Sequence, residues 1–310
     1  MLKPIKRALQ RSKLRQEKSH FALLSAIKMS QLQLMALSSN EPGVGNTKPE
    51  RIIVSLTTIQ PRINDIFVTI ESLFQQILKA DKIILWVSER DFPDKVLPEA
   101  LVKAKNRGLE IEFVAKDLGS HTKIIYTLEK FPDDIVLTVD DDIMYPVDMI
   151  DQLYRAYKAQ PEYIHCHRAH KMTLDEAGKL RDYYSWQMAT PDSEASALIF
   201  PTGVAGVLYP PGSLDKEVLN RELFLDLCPN ADDIWLKIMS LKKRTLCKKV
   251  ADSRPWGSRF LIIPNSQAVG LKKTNKKKGG NTEKLDKVKQ KFHLDRIIED
   301  ALTPKHRSNQ

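Results

Sequence analysis

From residue 50 onward, short apolar runs alternate with segments whose apolar positions recur every three or four residues. RIIVSLTT (51–58) is a strand-like run, and after Pro61 the residues Ile63, Phe67, Ile70, Leu73, Phe74 and Ile77 repeat with helical spacing. KIILWVSE (82–89), LEIEFVA ending at Ala115 and DIVLTVD (134–140) predict three more buried strands, separated by helical patterns over 94–106 and 122–130. Such alternation predicts an α/β fold with a mostly parallel sheet and helices on both faces. Beyond Asp142 the pattern loosens into a helix over 147–159, a short strand YIHCH, a turn-rich stretch over 191–212, a helix over 231–241 and a strand near 260–263. Sites in open parallel sheets form at the carboxyl ends of strands, so the residues after Thr58, Glu89, Ala115 and Asp140 are the first candidates for a site.

Outside this body, residues 1–37 pattern as a basic, partly amphipathic helix, and SSNEPGVGNTK (38–48) has linker composition. Three regions result: a basic helical extension and linker over 1–49, the folded body over 50–270, and a basic loop and helix over 271–310. The first 49 residues hold 9 Lys and Arg against 2 Glu, and the last 40 hold 12 against 5 acidic residues. Each end is therefore +7 in a chain of net charge +10, which leaves a body of about −4. Basic ends on an acidic body suit an anionic membrane surface, and no nucleic-acid motif accompanies them. No run reaches the ~18 uninterrupted apolar residues of a membrane span, and the N-terminal stretch shows no small-residue cleavage site. The expectation is a cytoplasmic protein, peripheral on the inner face of the cytoplasmic membrane. Cys166, Cys228 and Cys247 are too few and too scattered for a disulfide framework, which agrees with a reducing compartment.

Candidate chemistry concentrates at Asp140-Asp141-Asp142, where the VLTV run ends. Three adjacent carboxylates at a strand exit repel one another unless a cation or solvent relieves them. In an extended chain Asp140 and Asp142 point to one side and Asp141 to the other, so the first two suit Mg²⁺ or Mn²⁺. A strand-to-turn junction with locally hydrogen-bonded aspartates is the plainer reading. Gly203 and Gly206, in FPTGVAGVLYPPG with Tyr209, let backbone approach a sugar, or mark a buried strand between tight turns. Asp232 and Asp233 open a helix, where acidic residues are favoured without any catalysis. Trp186 and Tyr184 suit either stacking on a sugar or core packing. His165, His167 and His170 have no second ligand cluster, which favours structural or substrate-lining roles over zinc.

Taken in order, SLTTIQPRI, LWVSE, DLGSHTKI, VLTVDDDIMYP, FPTGVAGVLYPPGSL and CPNADDIWL resemble the bacterial nucleotide-sugar glycosyltransferases of the GT-A fold, whose D-x-D motif ends a central strand. The resemblance covers roughly residues 50–300. It implies a single nucleotide-binding domain with an acceptor-side half, which moves a sugar from a nucleotide-diphosphate donor to a cell-surface glycan or lipid-linked acceptor of lipopolysaccharide or capsule type. Carried onto this chain, it implies donor contacts at Thr57, Thr58, Arg62, Gly119, Ser120, His121, Lys123, Asp140 and Asp141, with Mn²⁺ or Mg²⁺ at Asp140 and Asp142. It also sets Asp232 and Asp233 near the acceptor hydroxyl as candidate bases, and Gly203, Gly206, Tyr209 and Trp186 on the acceptor side. A sugar nucleotidyltransferase, which attacks phosphorus, and an inactive glycan-binding module are the alternatives.

Overall fold

The computed structural model describes residues 2–264, 266 and 280–303, with side chains from residue 12 onward except that of residue 14. The basic stretch 272–281 thus lies, up to residue 279, outside the described residues. In chain order the strands are β1 (Ile52–Thr57), β2 (Lys82–Ser88), β3 (Leu109–Val114), β4 (Ile135–Thr138), β5 (Ile143–Met144), β6 (Ile164–Cys166), β7 (Ala169–Lys171), β8 (Ile199–Pro201), β9 (Val207–Tyr209), β10 (Cys247–Lys249) and β11 (Leu261–Ile262). Seven of them form one sheet in the order β10-β6-β9-β4-β1-β2-β3, while β5 pairs with β11 and β7 with β8. Every neighbouring pair in the large sheet is parallel except those made by β9, which runs antiparallel to both β4 and β6.

The helices are α1 (Leu2–Ser38), α2 (Ile66–Phe74), α3 (Glu99–Asn106), α4 (Thr122–Lys130), α5 (Met149–Ala159), α6 (Arg221–Leu227), α7 (Asp232–Lys243), α8 (Trp256–Arg259), α9 (Gly280–Phe292) and α10 (Leu294–Leu302). They cover both faces of the sheet. Ile52, Val54 and Leu56 of β1 pack with Ile70 of α2, Leu101 of α3 and Leu153 of α5. The alternate residue Ile53 packs instead with Ile84 and Trp86, against Tyr126 of α4. A strand buried on both faces has no polar side to show, which is why β1 and β2 read as continuous apolar runs. A second core gathers Trp235 and Met239 of α7 with Ile124 of α4, Val207 of β9, and Leu285, Val288 and Ile298 of α9 and α10.

Residues 39–48, linker-like in composition, lie against the body. Gly43 N–H donates to the Arg107 carbonyl at 2.7 Å and Gly45 N–H to that of Ala80 at 2.9 Å. A Cβ on Gly43 would stand 1.9 Å from the Phe74 ring, so only glycine lets the backbone come this close. Helix α1 packs through Leu32 against Val68, Met144, Leu261 and Ile263.

Candidate active site

Reversal of β9 brings the two halves of the chain to one rim. Thr138 of β4 and Cys166 of β6 are both paired with Val207, the first residue of β9. The residues leaving β4 and β6 therefore emerge beside the segment entering β9. A cleft of about 1110 Å³ opens there, lined by Thr57, Thr58, Arg62, Ser88, Ser120 and Lys123 from one half and by Arg168, Gly203 and Asp233 from the other. Asp140, Asp141 and Asp142 stand between them.

β4 stops at Thr138, and Asp141 and Asp142 already lie in a turn. The strand alternation expected for the three aspartates is thereby corrected, because an extended geometry needs ladder bonds that end before Asp140. Tyr145 Oη accepts from the Asp140 N–H at 2.8 Å, Thr69 Oγ1 donates to the Asp141 carbonyl at 3.0 Å, and Ile263 N–H donates to that of Asp142 at 2.9 Å. These bonds fix all three side chains on the cleft wall. Thr58 Oγ1 donates to Asp141 Oδ2 at 2.6 Å, while the Arg62 guanidinium reaches Asp141 at 2.5 Å and Asp142 at 3.1 Å. Burial raises the Asp141 carboxyl against the pull of Arg62. Burial and the charge of Asp140 push Asp142 up to about 6.

Asp140 and Asp142 thus offer the cleft two mutually repelling oxygen donors, the relation that a hard divalent ion relieves. The pair fits Mg²⁺ or Mn²⁺ in chemistry. Among the described residues no three His, Cys, Asp or Glu side chains gather into a ready cage, so water and substrate oxygens would complete the shell.

A second ionic knot centres on Lys123, which is buried and donates to Asp140 Oδ1 at 2.7 Å, with Asp232 Oδ2 at 3.0 Å. Burial lowers the ammonium's pKa, but Asp140, Asp232 and Asp233 outweigh it and hold the group well above the ordinary lysine value. For Asp232 the upward push of burial is outweighed by Lys123 and His121, so it stays ionised. Asp233 goes the other way: burial first, then Asp232 and Asp140, raise its carboxyl. Its Oδ1 accepts from the Gly203 N–H at 3.0 Å. Around Gly203 the groups converge, since a Cβ there would lie 3.0 Å from Lys123 Nζ, 3.2 Å from Asp233 Oδ1 and 3.5 Å from Asp140 Oδ1.

Other candidates fall elsewhere. His121 is fully buried, stacks on Phe224 at 4.2 Å and has Nε2 3.0 Å from the Cys228 carbonyl; it supports the start of α4 beneath the cleft. Tyr209 is buried within β9, because strand alternation turns it into the second core. Gly206 has φ +91° and sits over Met149, making the turn into β9. Trp186 is buried with its Nε1 donating to the Arg181 carbonyl at 2.9 Å, and the neighbouring Tyr184, 48% exposed, lines the cleft instead. His165 and His167 place Nε2 against the carbonyls of Gln160 and Met149, at 2.9 and 3.1 Å, which accounts for both without a metal.

Arg168 is a further cleft residue, one that no sequence motif carries. Its guanidinium donates to Thr202 Oγ1 at 2.9 Å, lies 5.8 Å from the Trp256 ring, and pairs with no carboxylate among the described residues. The signal in the sequence is its place just after the short strand β6, as Asp140 stands just after β4.

Residues 52–194, a little under half of the chain, match the glycosyl transferase family 64 domain, a stretch that runs from β1 past the aspartate turn. No curated protein matches the chain in sequence. Among solved structures it is similar to a mannosyltransferase from Pyrobaculum calidifontis, described in complex with GDP-Man and Mn²⁺, at 14% identity and a TM-score of 0.42 over 76% of this chain and 64% of that one. TarS residues 1–349 from S. aureus, described in complex with UDP, match at 13% identity and 0.43 over 66% and 58%. The 4-diphosphocytidyl-2C-methyl-D-erythritol synthase of Anaerococcus prevotii matches at 12% identity and 0.45 over 72% and 96%. The chain thus spans less than two thirds of the mannosyltransferase and TarS chains.

Proposed function

We propose that the protein is a divalent-metal-dependent glycosyltransferase that moves a sugar from a nucleotide-diphosphate donor to a hydroxyl of a cell-surface glycan or lipid-linked acceptor. The observation that carries this reading is the convergence at Gly203, where a cation, Lys123, and two carboxylates, Asp140 and the raised Asp233, meet at one point of a large cleft. The family match over residues 52–194 supports the same reaction class.

On this reading the donor occupies the side lined by Thr57, Thr58, Arg62 and Ser120. Asp140 and Asp142 would hold Mn²⁺ or Mg²⁺, which supplies charge stabilisation for the departing nucleotide. Lys123 orients Asp140 and Asp232 and helps to hold Asp232 ionised. Asp233, with its carboxyl raised toward the working pH, takes the proton from the acceptor hydroxyl, because a base is most effective when its pKa lies near that pH. Arg168, His170 and Tyr184 line the opposite wall, where the acceptor would lie.

The test is titration of UDP and GDP into the protein with and without Mn²⁺, using wild type, Asp140→Ala and Asp142→Ala. Nucleotide binding that needs Mn²⁺ in wild type and disappears in both variants, with the melting temperature kept, is expected. Metal-independent binding, or binding unchanged in both variants, overturns the assignment. Pyrophosphate release from a nucleoside triphosphate and a sugar 1-phosphate would instead identify a nucleotidyltransferase.

A further inference from the structure

Helix α1 has two unlike sides. Ser25 and Leu32 are buried on the body, with Met29 packed beside them. Leu23, Ile27, Leu34 and Leu37 are 59%, 48%, 66% and 67% exposed. At about 100° of turn per residue these four fall within an arc of about 80°, opposite the side that carries Leu32. Toward the N-terminus the same helix continues into Lys3, Lys6, Arg7, Arg11, Lys13, Arg15 and Lys18, opposed by Glu17 alone.

We infer that this outward stripe and the basic turns before it form a docking surface for an anionic lipid bilayer, with α1 lying in the plane of the membrane. Charge complementarity selects the occupant. Seven cations against one anion on the first turns repel a second copy laid alongside in parallel, whereas anionic headgroups attract them while the leucines enter the acyl boundary. The stretch Arg15–Ser38 is also long and apolar enough to cross a membrane by length and composition. The body already occupies its Leu32 side, however, and only the opposite arc is free for lipid. The helix packs on the β5–β11 ribbon, whose Ile262 lines the cleft, so a docked helix would set the cleft wall close to the lipid surface. The inference stands whether or not the cleft transfers sugar.

Cosedimentation of the full chain with vesicles tests it. Phosphatidylglycerol–phosphatidylcholine vesicles should retain the protein at least about tenfold better than phosphatidylcholine alone. Retention should weaken as salt rises from about 0.1 to about 1 M, where the Debye length falls from about 10 to about 3 Å. The variant Leu23→Ser/Ile27→Ser/Leu34→Ser/Leu37→Ser, altered only at exposed positions, should lose retention at low salt with an unchanged melting temperature. Lys13→Glu/Arg15→Glu/Lys18→Glu should bind both vesicle types equally weakly. Failure of wild type to bind anionic vesicles, or unchanged retention in the serine variant, overturns the inference. So does a dimer that the serine variant dissolves, which would make the stripe a contact between copies. Retention that persists in alkaline carbonate would mark a spanning helix and overturn it as well.

Discussion

The two ionic knots of the cleft use similar parts to different ends. Around Arg62 one guanidinium faces two carboxylates, Asp141 and Asp142, all carried by β1, β4 and their exits. Around Lys123 one ammonium faces three, Asp140, Asp232 and Asp233, drawn from both halves of the chain. The first arrangement leaves one uncompensated charge and the second leaves two when every group is ionised. Burial raises carboxyls in both, Asp141 and Asp142 beside Arg62 and Asp233 beside Lys123, where Asp232 and Asp140 add to the effect. The difference lies in the source of the carboxylates: the Arg62 knot is built within one half of the chain, whereas the Lys123 knot exists only because the two halves meet.

The largest effect that can break this comparison is Asp233→Asn. The amide oxygen still accepts from Gly203 and the side chain still suits a helix start, so the fold should hold, with a melting temperature equal to or above wild type. Turnover should fall by about 100- to 10,000-fold, the usual contribution of a general base. Near-normal turnover would return Asp233 to the role of a helix-starting residue. In wild type, turnover should rise as pH rises through the elevated pKa, because only the ionised carboxylate takes a proton. Stability should move oppositely. Between the unfolded carboxyl value and the raised folded one, the folded state binds the extra proton, so stability falls as pH increases through that window. Denaturant titrations of wild type and Asp233→Asn across pH check the sign, and the variant should lack this slope.

Next in size is the cost of removing each cation. Lys123→Met leaves Asp140 and Asp232 without their partner at a site where the lysine side chain is only 7% exposed. A loss of about 3 to 5 kcal/mol is expected in denaturant unfolding. Arg62→Met, at a site 15% exposed, removes charged hydrogen bonds from a wall nearer solvent, and about 1.5 to 3 kcal/mol is expected. Equal losses would mean that the knots do not differ in kind.

The smallest and sharpest probe is Gly203→Ala. Its methyl would sit 3.0 Å from Lys123 Nζ and 3.2 Å from Asp233 Oδ1, so the knot must give by a few tenths of an ångström. Turnover should fall by about tenfold while stability changes little, since misplacement of reacting groups by ~1 Å costs about 100-fold. Unaltered turnover would separate the convergence at Gly203 from catalysis.

The sequence by itself determined the layout of the parallel half. Runs such as IIVSL and KIILWV are legible because strands buried on both faces carry few polar residues, and the switch to helical spacing between them dictates right-handed crossovers. The strand-exit rule then pointed to the end of the VLTV run and its aspartates without any coordinates, and the family resemblance added Thr57 and Thr58. What only the tertiary structure decided lies in the other half. β6, β9 and β10 are three residues long, too short for periodicity to declare itself, and nothing local announces that β9 is reversed. That reversal, a matter of long-range pairing with Thr138 and Cys166, carries Gly203 to the aspartate turn and sets Arg168 on the same rim. Tertiary packing likewise decided between the alternatives left open for Tyr209 and Trp186, and buries both in the second core. Protonation obeys the same logic: Asp232 and Asp233 are chemically alike in the chain, and only the burial and charges assembled around them separate a carboxylate from an acid.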